Sequence, residues 1–399
     1  MENVPVHIMP AGALGAVAYY AIKNTCRLDG FLDNIKGTVQ DADFCRLPVI
    51  SPKDANINAT VIIASFRYER KFIKELKALG FSNIVNVRNF MTPENASIAV
   101  EYIKKNNIDQ EYKLLWLEEE VRQFFLDYGN EDLLIVTKAE FVVTQRCSLK
   151  CRDCSALMQY YSNPVNLDID TVIKSVDSFF SYVDYSRTVN IIGGEPLMVK
   201  DLARLINKIS EYRMRISELT IITNGTIIPG DEVILAMVKA GVTIIISDYK
   251  ELSRKKTDLI ATLTSGGVKH KVVEHLQWTK MQSFSASTRP PCSVFKSCDA
   301  YCMQIMNGKL FYCNFAAHGE ALSGFPYNVA NSIDLFNENT TKETIRAYVE
   351  RQSGIPACAY CTGNDLSMEN IPVAMQVDSP LPYVRYDDSK FVCKGKTNG

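Results

Sequence analysis

The chain has 399 residues, 47% of them hydrophobic and 22% charged, with a net charge of −1 at neutral pH. This composition suits two or three folded domains with ample apolar core, and the near-zero charge gives no electrostatic reason to expect nucleic acid or an anionic membrane as partner. No apolar run reaches the ~18 residues of a spanning helix, and no basic region followed by a hydrophobic stretch opens the sequence, so a cytoplasmic location is expected. The sequence holds 12 cysteines, and close spacing in a reducing compartment argues for metal centres rather than disulfides.

Residues 1–92 alternate strand and helix signals. Val4 to Met9 reads as a strand, and the turn Pro10-Ala11-Gly12-Ala13-Leu14-Gly15 opens a helix running to about Lys23. Leu28 to Leu32, Val61 to Ala64 and Ile84 to Val87 read as further strands, with a helix from about Tyr68 to Leu79 stopped by Gly80. Such alternation predicts a parallel sheet with crossovers, a small Rossmann-like domain. Its first turn is an imperfect GxGxxG phosphate fingerprint in which Pro10 replaces the first glycine and Gly12 and Gly15 remain. Asp33 follows at about the ~20-residue spacing at which such folds meet a ribose. A structural or docking domain that binds no nucleotide fits the same residues. The series Gly12-x-x-Gly15, Gly30-Phe31-Leu32-Asp33-Asn34, Pro48-Val49-Ile50 and Val61-Ile62-Ile63-Ala64 resembles the N-terminal domain of nucleotide-sugar O-acyltransferases. That resemblance implies a UDP-linked sugar contacted by Gly12, Gly15 and Asp33. Residues 93–137 read as a helical linker with Ala99, Ile103, Leu114, Leu117, Val121, Phe124 and Phe125 on one apolar face.

From residue 138 strand and helix signals alternate again, with strands at 140–144, 188–192, 218–223, 242–247 and 268–275. The first of these runs into Cys147-Ser148-Leu149-Lys150-Cys151-Arg152-Asp153-Cys154. Three cysteines in so tight a loop can place three thiolates on one small inorganic centre. A structural zinc site normally closes with four Cys or His ligands, whereas a cubane held by three thiolates keeps one iron open. The four histidines, His7, His270, His275 and His318, all lie far away in sequence. About forty residues on, Gly193-Gly194-Glu195-Pro196 follows the next strand: glycines admit close backbone approach, and Glu195 carries a carboxylate suited to an ammonium.

This CxxxCxxC loop followed by GGEP resembles the radical S-adenosylmethionine (SAM) superfamily, over roughly residues 138–365. The resemblance implies a [4Fe–4S] cluster on Cys147, Cys151 and Cys154, with SAM on its open iron and its amino group held by Gly193, Gly194, Glu195 and Pro196. It departs from the family pattern at Asp153, where an aromatic residue usually precedes the third cysteine and covers the adenine. Asn224 in Thr223-Asn224-Gly225, and Ser247 in Ser247-Asp248-Tyr249, stand at strand ends where the family contacts SAM, and Asp248 and Tyr249 are candidate substrate ligands. Only residues 276–291 remain before the next cysteine group, too few for another helix and strand. A truncated, open β/α barrel of five strands over 138–290 is therefore expected.

Residues 291–399 carry Cys298-x9-Gly308-x4-Cys313 and then Cys358-x2-Cys361. A hairpin from Met303 to Tyr312, turning through Asn307-Gly308, and a CxxC turn can bring four thiolates together. The pattern resembles the shortened SPASM extension called a twitch domain, which implies a second, auxiliary [4Fe–4S] cluster; a zinc ribbon shares the spacing. Cys292 and Cys302 fall outside the pattern, so the ligand set could shift by one, or Cys302 could be a free thiol near the substrate. Cys26, Cys45 and Cys393 read as small hydrophobes. His318 and Glu320 either touch substrate or bond backbone.

The fold class is thus α/β: a Rossmann-like domain, a partial parallel barrel and a twitch-like iron–sulfur extension. The truncated barrel with a twitch domain most resembles the 2-deoxy-scyllo-inosamine dehydrogenases, which implies oxidation of an alcohol on a sugar, cyclitol or nucleotide-linked glycan. A small-molecule substrate and a reducing partner such as flavodoxin or ferredoxin are expected. An epimerase with Cys302 as hydrogen donor, a peptide-modifying enzyme or maturase, and a metal-stabilised scaffold are the alternatives.

Overall fold

The computed structural model describes residues 4–386 except 35, 39–41, 66–68, 113, 115–116, 119–120, 122–123, 126–132, 281, 286–288, 299–301, 352 and 364–368. The chain divides into two compact units, Met1–Leu133 and Leu134–Gly399.

The first unit is built on a sheet ordered β3-β4-β2-β1-β5-β6, with β1 Val6–Met9, β2 Gly30–Leu32, β3 Asp43–Phe44, β4 Leu47–Ile50, β5 Thr60–Ile63 and β6 Ile84–Asn86. All neighbours run parallel except β3 with β4. The parallel pattern follows from crossovers that include α1 Ala13–Ile22 and α2 Glu69–Ala78. The alternating sequence signals anticipate β1, β2, β5, β6, α1 and α2 but not the β3–β4 hairpin. Its turn holds Cys45 and Arg46 at positive φ, with Cys45 buried. Helix α3 Pro93–Lys105, capped by a Thr92–Asn95 box, lies where a linker was expected. Ala96, Ala99 and Ile103 on it are buried in one core with Leu14, Val17 and Phe31, so this helix helps close the first unit. Cys393 lies outside the described residues.

In the second unit, β7 Ile135–Thr144, β8 Tyr185–Gly193, β9 Ile216–Thr223, β10 Thr243–Asp248 and β11 Lys269–Glu274 form a parallel run. Helices Ile169–Tyr182, Leu202–Ser210, Asp231–Ala240 and Lys256–Ser265 alternate with these strands. Asp168 caps the first helix by accepting from Thr171 N–H at 2.9 Å, and Gly241 ends the third at φ 65. Phe141 of β7 meets Phe179 of the first helix edge-on at 5.7 Å between ring centres, and both are fully buried. Truncating either would cost about 3–5 kcal/mol.

Five barrel strands were expected, and the sheet adds three on its other side, the outermost being β15 Ser332–Asp334. The strand Met303–Met306, β13, joins parallel to β7 with Gln304 opposite Glu140, and it turns through Asn307-Gly308 into Lys309–Phe311, β14. Both turn residues have positive φ, as a tight hairpin requires. A short pair, β12 Trp278–Thr279 with β16 Asn370–Ile371, links the segment after the barrel to the one after the CxxC turn. No helix among the described residues is long and apolar enough to cross a membrane.

Candidate functional site

Parallel strands present their C-terminal ends on one side, and the motifs gather there. The Cys147–Cys154 loop leaves β7, and Gly193-Gly194-Glu195 leaves β8. Gly193 stands at φ 153, where an added Cβ would lie 2.3 Å from the Thr144 carbonyl oxygen. At Gly194 an added Cβ would lie 2.2 Å from the Arg146 carbonyl oxygen and 2.9 Å from Cys147 Cβ. The glycines therefore allow the end of β8 to press against the backbone that delivers Cys147. Two bonds seal that contact: Gly194 N–H donates to Thr144 at 2.9 Å and Glu195 N–H to Arg146 at 2.8 Å.

Glu195 is not presented outward. Its side chain is 0% exposed, and its carboxylate accepts from Thr223 Oγ1 at 2.8 Å, Asn224 N–H at 2.8 Å and Leu197 N–H at 3.1 Å. Burial raises its pKa to about 6 against the pull of those three donors. These bonds tie the ends of β8 and β9 together through the Glu195 carboxylate. Asn224 works on the other side of the tie. Its Nδ2 donates to Ser148 Oγ at 3.1 Å and to Cys147 Sγ at 3.5 Å, and its Oδ1 accepts from Thr226 Oγ1 at 2.6 Å.

Ser253, unremarked in the sequence, joins the next two strand ends. Its hydroxyl donates to the Asn224 carbonyl at 2.8 Å and accepts from Tyr249 N–H at 2.9 Å. Ser247 is buried and its hydroxyl hydrogen-bonds the Tyr249 phenol. Burial pushes that phenol up, and the sulfurs of Cys147, Cys151 and Cys154 are close enough to push it further. Tyr249 stacks on His275 at 5.3 Å and meets Trp278 edge-on at 5.6 Å. Asp248 is 6% exposed, with its carboxylate 2.5 Å from Lys256 Nζ and accepting from Lys250 N–H at 3.0 Å. The Lys256 bond holds it below its ordinary value. Of the two expected substrate ligands, Tyr249 faces the cysteine loop and Asp248 is engaged by lysine.

The three loop thiols lie close together: Cys151 and Cys154 perturb the ionisation of Cys147, and Cys154 that of Cys151. Cys147 Sγ accepts from Leu149 N–H at 3.5 Å, Cys151 Sγ from Gln376 Nε2 at 3.3 Å, and Cys154 from the backbone of Met158 and Ala156. Burial pushes Cys147 to about 12 and Cys151 to about 11. Enclosed sulfurs ringed with donors are what a cationic centre bound by thiolates needs, and such a centre would reverse the burial shifts. Among the described residues no three Cys, His, Asp or Glu side chains converge tightly enough for a single metal ion. Three thiols whose sulfurs accept bonds from neighbouring donors are the kind of ligand set a [4Fe–4S] cluster takes.

Residues 141–279 match the Radical SAM superfamily. The chain carries a radical SAM domain, and that domain implies a [4Fe–4S] cluster and SAM. Among curated proteins, the GTP 3′,8-cyclase of Ectopseudomonas mendocina is 33% identical over 92 residues, 23% of this chain and 27% of that protein. The GTP 3′,8-cyclase of Campylobacter jejuni is 36% identical over 89 residues, 21% of this chain and 26% of that protein. The chain thus spans only about a quarter of the curated relatives it matches. Among solved structures, BtrN in complex with AdoMet and 2-DOIA superimposes with a TM-score of 0.38 at 15% identity, over 62% of this chain and 98% of that one. Streptococcus suis SuiB bound to S-adenosylmethionine gives a TM-score of 0.28 at 17% identity, over 45% of this chain and 46% of that one.

A second thiol group lies outside the matched region. Cys313 and Cys361 each feel Cys298 and Cys358, and burial pushes all of those resolved well up, Cys358 to about 11. Gly363 N–H donates to Cys361 Sγ at 3.2 Å. Cys292 is exposed, while Cys302 thiol hydrogen-bonds the Glu140 carboxylate beside Cys313. His318 is fully buried with Nδ1 2.9 Å from Tyr161 Oη, and burial lowers its pKa to about 4. Glu320 accepts from Lys309 Nζ at 2.7 Å.

In the first unit, Asp33 spends its carboxylate on backbone: Oδ2 accepts from Ala11 N–H at 3.2 Å and Oδ1 from Lys36 N–H at 2.9 Å. Gly15 sits where a Cβ would lie 2.2 Å from the Pro10 carbonyl oxygen, whereas Gly12 has no such crowding. The three residues expected at a nucleotide do meet around one turn, and what they visibly do there is hold the turn's shape.

Proposed function

We propose that this protein is a radical SAM oxidoreductase that removes hydrogen from an alcohol carbon of a sugar, cyclitol or nucleotide-linked glycan. The observation that carries the reading is the meeting of Cys298, Cys313, Cys358 and Cys361 outside the radical SAM domain. Four thiolates close a cubane fully, which suits electron transfer rather than SAM binding. When bound, the first cluster with SAM supplies a 5′-deoxyadenosyl radical and the second an acceptor for the substrate's electron. The residues supply the rest. Cys147, Cys151 and Cys154 hold the first cluster, and Asn224 and Gln376 donate to two of their sulfurs. The backbone of Gly193 and Gly194 and the hydroxyl of Ser247 line the strand ends where SAM would sit. Tyr249, with His275 and Trp278, forms an apolar wall over the thiols and excludes water from them. A flavodoxin or ferredoxin would deliver the reducing electron.

The test is iron and sulfide content with EPR on anaerobically reconstituted protein. Wild type should hold about eight irons, and the Cys147→Ala, Cys151→Ala, Cys154→Ala triple variant about four, with loss of the SAM-sensitive signal. About four irons in wild type, with zinc on the second group, would sink the oxidoreductase reading. A redox-neutral epimerisation is the second reading, favoured by one observation: Cys302, surplus to the four, stands immediately before β13 with its pKa pushed up by burial.

A further inference from the structure

Residues 373–377 run antiparallel along the cysteine loop. Cys151 pairs with Gln376 as a β-bridge, Arg152 N–H donates to the Met375 carbonyl at 2.7 Å, and Val377 N–H donates to the Lys150 carbonyl at 2.8 Å. Ala374 is buried against Leu149 and Cys151. These contacts alone would fasten the strap. The Gln376 side chain goes further: its Oε1 accepts from Lys150 N–H at 2.7 Å, and its Nε2 donates to the Ala374 carbonyl at 2.7 Å and to Cys151 Sγ at 3.3 Å. Accepting at one end and donating at the other fixes which way the amide points. The donor end faces the sulfur.

We propose that Gln376 is a positioning residue of the first cluster, whose Nε2–H steadies the Cys151 thiolate, raises the cluster's reduction potential and slows its loss. A hydrogen bond to a ligand sulfur stabilises negative charge there, and the reduced cluster carries more of it, so the donor favours reduction. SAM cleavage needs that reduced state, which ties the strap to the radical step. The inference rests on Cys147, Cys151 and Cys154 being cluster ligands, and the iron content and SAM-sensitive EPR signal of wild type test that separately.

The experiment uses the full chain, reconstituted anaerobically, in two variants. Gln376→Leu removes both side-chain bonds to the loop but keeps the backbone pairing. Gln376→Glu keeps an acceptor for Lys150 N–H, removes the donor and adds a negative charge beside the sulfur. The readouts are the midpoint potential of the SAM-sensitive EPR signal and the rate of iron loss to a ferrous chelator. Both variants should titrate at more negative potential and lose iron roughly 10-fold faster. A potential and loss rate equal to wild type in Gln376→Leu would overturn the proposal. If Gln376→Leu fails to load the cluster, Gln376→Glu decides by the same criterion. Wild type without a SAM-sensitive cluster would overturn both this inference and the reading beneath it.

Discussion

Gly194→Ala puts one methyl group into the contact that delivers Cys147. The new Cβ would lie 2.2 Å from the Arg146 carbonyl oxygen, 2.5 Å from its carbon and 2.9 Å from Cys147 Cβ. Two of those three are backbone atoms, so no rotamer change relieves the clash. Carbon atoms rest at about 3.5–4.0 Å, so the strands must separate by about 1 Å. Overpacking of this kind costs about 1–3 kcal/mol. Separation also breaks the bond from Glu195 N–H to the Arg146 carbonyl, 2.8 Å long, and a buried orphaned N–H adds about 1–3 kcal/mol. A loss near 3 kcal/mol lowers the melting temperature of a domain this size by about 6–12 °C. Gly230→Ala is the control, because nothing lies within 4 Å of an added Cβ there. Differential scanning fluorimetry of the iron-free protein, followed by iron analysis after reconstitution, makes the comparison. A Gly194→Ala protein that melts with the control and loads the same iron would refute the view that these glycines serve backbone contact.

Two further outcomes follow from carboxylates that accept backbone N–H bonds. Glu195 has its pKa raised by burial from 4.5 to about 6, so its folded value exceeds its unfolded one. The stability it contributes is full below about pH 4.5 and is lost as pH rises through about 6. The stability of wild type relative to Glu195→Gln, from urea unfolding of iron-free protein, should therefore fall by about 2 kcal/mol between pH 4.5 and 8; a flat difference contradicts it. Asp33→Ala should orphan the N–H of Ala11, which is 2% exposed, and cost about 1–3 kcal/mol with no nucleotide present. Equal chemical denaturation midpoints for variant and wild type would instead show that the fold does not depend on the Asp33 carboxylate.

The parts of the site readable in the sequence were those whose meaning is local. Three cysteines within eight positions must share a loop, and an alternation of periodicities gives a parallel sheet whose strand ends lie on one side. What escaped depends on distance along the chain. Glu195 reads as an offered carboxylate, and its bonds to Thr223 and Asn224 come only with the parallel pairing of β8 and β9. Asp248 looks like a ligand until a helical turn returns Lys256 to it. The sequence suggested that β13 was only half of a hairpin, because its parallel partner β7 lies far upstream, beyond the reach of periodicity. Gln376 stands in a stretch with no motif, and only the closing of the chain on its own cysteine loop shows its use.

Cys302 separates the two radical reactions this site could run. It enters β13 directly, and its thiol bonds the Glu140 carboxylate, which also accepts from Asn190 Nδ2 at 3.0 Å and Gln304 Nε2 at 2.9 Å. Gln304, Glu140, Asn190 and Thr220 are register partners across four neighbouring strands, so the thiol ends a buried polar row. Burial, with Glu140 beside it, pushes the thiol up, which favours the S–H form. An S–H suits a hydrogen-atom donor, yet it equally suits a structural bond to a buried carboxylate. Cys302→Ser keeps the donor to Glu140 and removes the weak S–H bond. Under the oxidation proposed above, this variant should keep cleaving SAM and keep forming oxidised product, with no solvent deuterium at the reacting carbon in D2O. If SAM cleavage continued while product vanished, and wild type placed deuterium at that carbon, the thiol would be the donor and the reaction an epimerisation. Loss of thermal stability in Cys302→Ala but not in Cys302→Ser would show that the hydrogen bond, rather than the sulfur, is what the fold uses.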